Sequence, residues 1–479
     1  MSNVSQLVKM LHFIDGVHFE EKGGDLFDLR DPETDGVIAS VAKGSAATID
    51  LAVQAAHRAF QSYRSVTAAQ REIWLCEAVR LIEQHREEFV DILVRQSGSP
   101  ITKARFEVRA ALENIRASIG LVRQAQGATI PSDTVNKLSM TFRTPIGVIA
   151  GITPFNVPFI TASRAAANAL ALGNTIVILP SEEVPGIALR MAALFHQAGF
   201  PPGTINVVTG FGYEIGDALT THPLVQAVKF TGSTVIGTHI RKLCGQHGKR
   251  VTLELGGKSP LLIMADADLD KAVAAAVRSI FFYQGQICLG ASRIFVERSI
   301  FEPFIEKFSA AAEAVSIGDM RDEKTLVGPT ISDRQRKRIR DHIADASAKG
   351  AKVVTGGEWI RNRCQPTILT GVTPDMVIYG SETFGPVASV YPVDSFEEGL
   401  TRANETDYGL TSGIFTSNLG HAMAFVRGIN AGMVHVNAQT VYDEPHAPFG
   451  GVKDSGFGRE GTESDLHTWT DLKWATIQL

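Results

Sequence analysis

Between Ile146 and Ser233 short apolar runs alternate with helical stretches, and this alternation restricts the fold more than any other feature of the chain. Ile146–Ile152 reads as a strand, and Pro158 opens a helix that reaches about Leu172. Thr175–Leu179 reads as a strand, Pro185–Ala198 as a helix and Ile205–Val208 as a strand. Gly216–Thr221 lies within a further helix, Ala227–Phe230 is a strand, and a last helix begins near Ser233. Strands joined through helices make a parallel, doubly wound α/β sheet, which binds a dinucleotide at the carboxyl ends of its strands.

Residues 48–120 read as helical, with Ala52, Ala55, Ala56 and Phe60 and then Leu75, Ala78, Val79, Leu81 and Ile82 at helical spacing. From Val251–Leu255 onward the α/β alternation resumes: strand 260–263, helix 268–282, strand 293–297, helices 300–315 and 333–348. The expected domains are therefore a dinucleotide-binding unit over 1–124 and 143–250 and a catalytic unit over 251–461. A chain of 479 residues is long enough for such a division.

A net charge of −5 with no basic block gives no reason to expect nucleic acid as a partner. Thirteen histidines without an HExxH run or Cys/His clustering give none to expect a metal. The four cysteines, Cys76, Cys244, Cys288 and Cys364, lack CxxC spacing, so reduced thiols and a cytoplasmic setting are expected, with Cys76 in the core beside Trp74 and Leu75. The first residues lack the pattern of a signal peptide, and the apolar stretch 145–160 is broken by Pro145, Pro154 and Pro158, so no membrane span is expected.

The chemistry centres on Cys288, in Gln-Gly-Gln-Ile-Cys-Leu, and on Glu254, in Leu-Glu-Leu-Gly-Gly-Lys. A thiolate adds to a carbonyl carbon, and a carboxylate raised toward neutrality by burial can activate water against the resulting thioester. Ile287 and Leu289 raise the thiol pKa, so the thiolate needs backbone N–H groups, a cationic ring nearby or deprotonation by Glu254. The competing reading of Glu254 is a salt bridge to Lys258, and that of Asn156, in Thr-Pro-Phe-Asn-Val-Pro, is a helix cap.

With Asn156, this set resembles the NAD(P)-dependent aldehyde dehydrogenase superfamily, from about residue 15 to the C-terminus. The resemblance implies that the Asn156 amide and the Cys288 backbone N–H hold the oxyanion, and that Glu254 favours hydrolysis over transfer to coenzyme A. It also implies an oligomerisation arm from 125–142 and 462–479, and hence a homodimer or homotetramer.

For the cofactor, Gly210-Phe-Gly212-Tyr-Glu-Ile-Gly216 has one residue too many for GxGxxG. Phe230-Thr231-Gly232-Ser233, a strand end turning into a helix, suits a pyrophosphate better and resembles the family's motif. By the same resemblance Glu382 and Phe384 hold the nicotinamide ribose and flank the ring, and Ile152, Thr153, Pro154, Phe155, Gly210, Leu255 and Gly256 complete the site. One departure is Leu179-Pro-Ser181-Glu182, where the family often has lysine in place of Leu179. Glu182 accepts from a 2′-hydroxyl and repels a 2′-phosphate, which favours NAD, with NADP as the alternative.

For the substrate, Val157, Ile160, Thr161 and Arg164 share one helix face, with Phe282, Tyr442 and Phe449 as further aromatic surface. Arg164 either reads a ring hydroxyl or pairs with a carboxylate. The run Asn437–Lys453 resembles the vanillin, salicylaldehyde and benzaldehyde branch, while Pro448-Phe-Gly-Gly to Arg459 reads as a structural signature. An aromatic aldehyde oxidised with NAD through a Cys thiohemiacetal and thioester is the expected reaction. The alternatives are an aliphatic semialdehyde or acylating enzyme, or a non-catalytic protein on the same fold.

Overall fold

The computed structural model describes residues 8–21 and 23–479. Residues 1–7, counted above in the first domain and read for a signal peptide, lie outside them.

Two sheets organise the chain. The first runs Gly456–Phe457, Arg250–Glu254, Val225–Thr231, Val148–Thr153, Thr175–Pro180, Ile205–Val207, His12–Ile14, Val17–Phe19. Its five central strands are parallel. From Val148–Thr153 the chain steps outward through two strands on one side, then crosses to add two on the other. The strand order therefore reverses between Val148–Thr153 and Val225–Thr231, the place where such a sheet opens a ligand crevice. Leu179, Ile152, Phe230 and Leu253 stand abreast there in register, with Glu254 opposite Thr231.

The second sheet runs Lys352–Thr355, Thr367–Thr370, Val387–Val393, Arg293–Glu297, Pro260–Ile263, Thr411–Phe415, Met433–Val436, parallel except at its first strand. The predicted strands 260–263 and 293–297 are found at those bounds, and the predicted helix 268–282 is Leu269–Phe281. The boundary at 251 moves. Arg250–Glu254 pairs in parallel with Val225–Thr231, so it closes the first sheet, and the second begins at Pro260. Gly456–Phe457 also returns from the second half to the first sheet.

Lys137–Pro145 and Thr470–Gln478 form a two-stranded antiparallel ribbon. The start of the expected C-terminal arm belongs instead to the body. Thr462–Thr468 is a helix whose Asp465 accepts from the Asn168 amide at 2.6 Å, and Trp469 after it is fully buried. Cys76 is exposed rather than in the core, because Leu75, Ala78 and Ile82 occupy the buried face of the Ala68–Gln84 helix and Cys76 faces away. Among the described residues no helix is long and apolar enough to cross a membrane, and no cluster of His, Cys, Asp and Glu could hold a metal ion.

Candidate active site

Cys288 follows a constrained loop. Tyr283, Gln284 and Gly285 have φ of +51°, +54° and +67°, three left-handed residues in succession. Non-glycine residues persist there only when their surroundings hold them. The Tyr283 hydroxyl donates to the Ser97 carbonyl at 2.8 Å, the Gln284 amide to the Pro329 carbonyl at 2.8 Å, and the Ile331 N–H donates to Gln286 Oε1 at 3.0 Å. A Cβ at Gly285 would run into the Gly385 carbonyl, so only glycine fits.

Phe282, Tyr283, Ile287, Leu289 and Leu410 form a buried apolar cluster, and Cys288 packs against it together with Phe106, Val441 and Phe449. Burial pushes the Cys288 thiol far above its usual range. The carboxylates of Glu382 and Glu254 push it the same way, while the N–H groups of Cys288 and Leu289 pull it down. At rest the sulfur is a thiol, and ionisation needs a base or an incoming cation.

Glu254 is buried, and neither carboxylate oxygen has a hydrogen-bond partner among the described residues. Burial and the neighbouring Glu460 raise its pKa, against the pull of Lys229, Arg459 and Arg164. No ion pair to Lys258 forms. Lys258 Nζ is itself buried without a partner, and burial with Arg293 nearby lowers its pKa to about 7. The Glu254 carbonyl accepts from Gly232 N–H at 2.9 Å, which ties its strand to the glycine turn.

Asn156 is buried, yet it does not cap the Pro158–Ala171 helix. Val157 holds the cap position, and the Asn156 amide makes no hydrogen bond among the described residues. Its carbonyl accepts from Lys103 Nζ at 2.6 Å.

The residues assigned to a dinucleotide converge from both sheets. Ser233 caps the Thr234–Gln246 helix with its hydroxyl unengaged by the helix, and exposed Val235 and Ile236 follow in the first turn. That arrangement leaves helix N–H groups for a pyrophosphate and apolar surface for a purine. The phenyl rings of Phe155 and Phe384 meet edge-on at 5.9 Å, and Phe384 has φ of +55°. Glu382 Oε1 accepts from Gly257 N–H at 2.9 Å, and a Cβ at Gly256 would reach 2.8 Å from Glu382 Oε2. Gln335 holds this loop by donating to the carbonyls of Thr383 and Phe384. Buried Thr153 keeps an unpaired hydroxyl at the end of its strand, while Ile152, Pro154, Ser181 and Glu182 are half-buried at neighbouring strand ends. These residues fit a dinucleotide. Leu179 differs: its side chain packs in the apolar layer with Val148, Ala150, Phe230 and Leu253, 1% exposed. Buried Leu255 closes against Gly237, and Gly210 packs against Ile215 and Gly44.

The substrate candidates divide. Phe282 and Phe449 lie in the cluster around Cys288, and Val157 and Ile160 are half-buried on the helix. Tyr442 does not join that cluster, being half exposed with its hydroxyl on Glu444. Arg164 takes the ion-pair alternative. Its Nη1 donates to Glu460 at 3.0 Å, Nη2 to Asp443 and Nε to Asn114 at 3.4 Å, so each guanidinium nitrogen already serves a protein partner. Sequence reasoning passed over Lys103, Lys229 and Glu460, and read Gly450 as structural only. Only the burial of charged side chains exposes the first three, and sequence gives no direct sign of it.

A strand-order reversal, a buried carboxylate raised in pKa and a thiol on which that carboxylate acts are the parts a thiol-centred, nicotinamide-dependent oxidoreductase requires. The aldehyde dehydrogenase family model matches residues 18–475, and the chain belongs to that family. It is 38% identical to mouse retinaldehyde dehydrogenase 3 over 98% of this chain and 92% of that protein. A benzaldehyde dehydrogenase of Bacillus subtilis is 37% identical, over 97% and 96%, and a vanillin dehydrogenase of Pseudomonas fluorescens 36%, over 97% of each. The NAD+ complex of an aldehyde dehydrogenase from Bacillus cereus superposes with a TM-score of 0.95 at 38% identity, covering 98% of this chain and 97% of that one. The chain is thus an aldehyde dehydrogenase using NAD(P), with the α/β fold of that family.

Proposed function

We propose that the enzyme oxidises an aromatic aldehyde of the benzaldehyde or vanillin type to the free acid, with Cys288 as nucleophile, Glu254 as general base and Asn156 as oxyanion donor. The observation that carries this reading is one apolar, aromatic cluster, built on Phe282, against which Cys288, Phe449 and Phe106 all pack. A flat ring lodged among them gains roughly 25 cal/mol per Å² of apolar surface removed from water. The similarity to benzaldehyde and vanillin dehydrogenases supports it, while the similarity to a retinaldehyde dehydrogenase allows a longer apolar substrate.

In this reading the Cys288 thiol loses its proton to Glu254 and the sulfur adds to the carbonyl carbon. The Asn156 amide and Cys288 N–H stabilise the oxyanion of the thiohemiacetal, a contribution worth about 10² to 10³ in rate per donor. Gly232 and Ser233 would hold the cofactor pyrophosphate, Ser181 and Glu182 the adenosine ribose, Glu382 the nicotinamide ribose, and Phe155 and Phe384 the sides of the ring. Bound NAD supplies the two-electron acceptor that turns the thiohemiacetal into a thioester. Glu254, having released the thiol's proton to solvent, then takes a proton from water as the water oxygen attacks the thioester carbon. The C–S bond breaks and the acid leaves as Glu254 returns that proton to the sulfur. Glu182 favours NAD over NADP. The ribbon Lys137–Pro145/Thr470–Gln478, with exposed Phe142, Leu472 and Trp474, serves as the contact between subunits of a homodimer or homotetramer.

The test is reduced-cofactor absorbance with vanillin, benzaldehyde, acetaldehyde and succinic semialdehyde, each with NAD and NADP. The aromatic aldehydes should give the highest kcat/KM. A higher value for acetaldehyde or the semialdehyde overturns the aromatic reading.

A further inference from the structure

Arg278 lies in the last turn of the Leu269–Phe281 helix, with its guanidinium carbon 3.9 Å from the centre of the Phe282 ring. It is half-buried, and among the described residues its side chain makes no ion pair or hydrogen bond. By contrast Arg109, whose guanidinium lies over Phe106, has the Glu113 carboxylate at 3.9 Å. Burial alone pulls the Arg278 pKa down, with no acidic neighbour raising it. Phe282 and Phe106 meet edge-on at 6.0 Å, and Phe282 belongs to the buried cluster against which Cys288 packs. The ring is therefore shared: it contributes to the apolar packing around the thiol and carries an unpaired cation.

A half-buried guanidinium loses part of its hydration, and stacking on an aromatic face replaces little of it. All five N–H donors stay available in a planar fork that matches a carboxylate or phenolate. Arg164, the other arginine considered for substrate, already pairs with Asp443 and Glu460 and donates to Asn114.

We propose that Arg278 is a specificity-determining residue that selects aldehydes carrying an oxyanion, a carboxylate or an ionised phenol, on the end of the molecule away from the reacting carbonyl. This rests on the reading of Cys288 as the nucleophile and of Phe282 as part of the substrate wall. Selection acts through binding, because the charge it meets lies away from the carbon that changes. Its loss should therefore appear in KM and leave kcat nearly unchanged.

The experiment compares benzaldehyde, 4-carboxybenzaldehyde and glutarate semialdehyde with the wild type, Arg278→Leu and Arg278→Lys. In the wild type, 4-carboxybenzaldehyde should exceed benzaldehyde in kcat/KM by about tenfold, the size of one charge-assisted contact. Arg278→Leu should erase that advantage through KM while benzaldehyde stays within about twofold, and Arg278→Lys should keep part of it. Equal losses for both benzaldehydes, or no loss for either, overturn the proposal, since an arginine that only supports Phe282 would not separate them. If glutarate semialdehyde surpasses both aromatics and falls in Arg278→Leu, the anion subsite stands and the aromatic reading alone fails.

Discussion

Lys103 Nζ donates to the main-chain carbonyl of Asn156 at 2.6 Å, and Glu107, its ion-pair partner one helical turn on, accepts from Phe159 N–H at 2.8 Å. The pair thus holds both sides of the Pro158 turn, one residue at Asn156 and the other at the helix that follows. Both side chains are at most 1% exposed, and Lys103 also lies 4.0 Å from the centre of the Tyr283 ring in the loop before Cys288. One buried cation therefore touches both segments assigned to the oxyanion.

Breaking this pair leaves a buried carboxylate without its cation. Lys103→Met should cost about 3–5 kcal/mol in urea unfolding. Lys103→Met with Glu107→Gln should recover much of that stability. Its kcat should nevertheless stay well below wild type, because the Asn156 carbonyl has lost its donor. A double variant with wild-type kcat would show that the pair serves stability alone.

Cys288→Ala should abolish oxidation and leave NAD binding nearly intact, as measured by cofactor titration. Glu254→Gln should slow deacylation more than the first half-reaction, giving a burst of reduced cofactor of about one per active site. Because Glu254 also takes the thiol proton in this reading, the burst itself should be slower than in the wild type. The same variant carries a stability signature. Burial raises the folded-state pKa of Glu254 above 4.5, so between the unfolded and folded values the native state binds more protons and stability falls as pH rises. Glu254→Gln lacks that loss. Its urea midpoint should match wild type near pH 4 and exceed it as pH rises above the unfolded-state value.

Gly450 belongs to the glycine pair read from sequence as structural, and the structure gives it a position against the carboxylate. Its φ is +149°, and a Cβ there would lie 2.5 Å from Glu254 Oε1 and 3.0 Å from Arg459 Cδ. Gly450→Ala should therefore displace Glu254 and lower steady-state turnover at least tenfold, an effect of about 1.4 kcal/mol on the barrier. NAD affinity by titration should be retained, because the clash falls on Glu254 rather than on the cofactor strands. Wild-type turnover would show that the carboxylate has room to move.

What sequence made legible follows from where each signal resides. Periodicity records burial of apolar side chains, so strands 260–263 and 293–297 and the alternation after Ile146 were readable at close to residue precision. Cys288, Glu254 and Asn156 stand out as candidates in sequence because thiol, carboxylate and amide sit in glycine- and proline-marked turns. Sheet membership was not readable: Arg250–Glu254 has the same apolar character whichever sheet it joins, and only pairing with Val225–Thr231 decides. Nor were Lys103, Glu107, Lys229 and Glu460, which look like surface charges until tertiary packing buries them. Arg164 was seen on the correct helix, but its partners Asp443 and Glu460 come from nearly three hundred residues away.

Leu179 is where the sequence suggests one outcome and the structure another. Restoring the family's lysine would by sequence alone tighten NAD binding by on the order of 1 kcal/mol. In the structure, Leu179 is 1% exposed within the apolar layer that includes Val148, Phe230 and Leu253. A lysine there must bury its stem and find a path out for its charge. Leu179→Lys should therefore lower unfolding stability by about 1–3 kcal/mol and leave the Kd for NAD within about twofold. Discrimination between cofactors should instead respond at Glu182, half-buried at the next turn. Removing its charge takes away the repulsion that a 2′-phosphate meets, so Glu182→Gln should raise the NADP-to-NAD ratio of kcat/KM by about tenfold. Parallel initial-rate series with both cofactors on wild type, Leu179→Lys and Glu182→Gln decide the matter. A wild type that already prefers NADP removes Glu182 from the role, and tighter NAD binding by Leu179→Lys with unchanged stability would show that the position opens to the ribose after all.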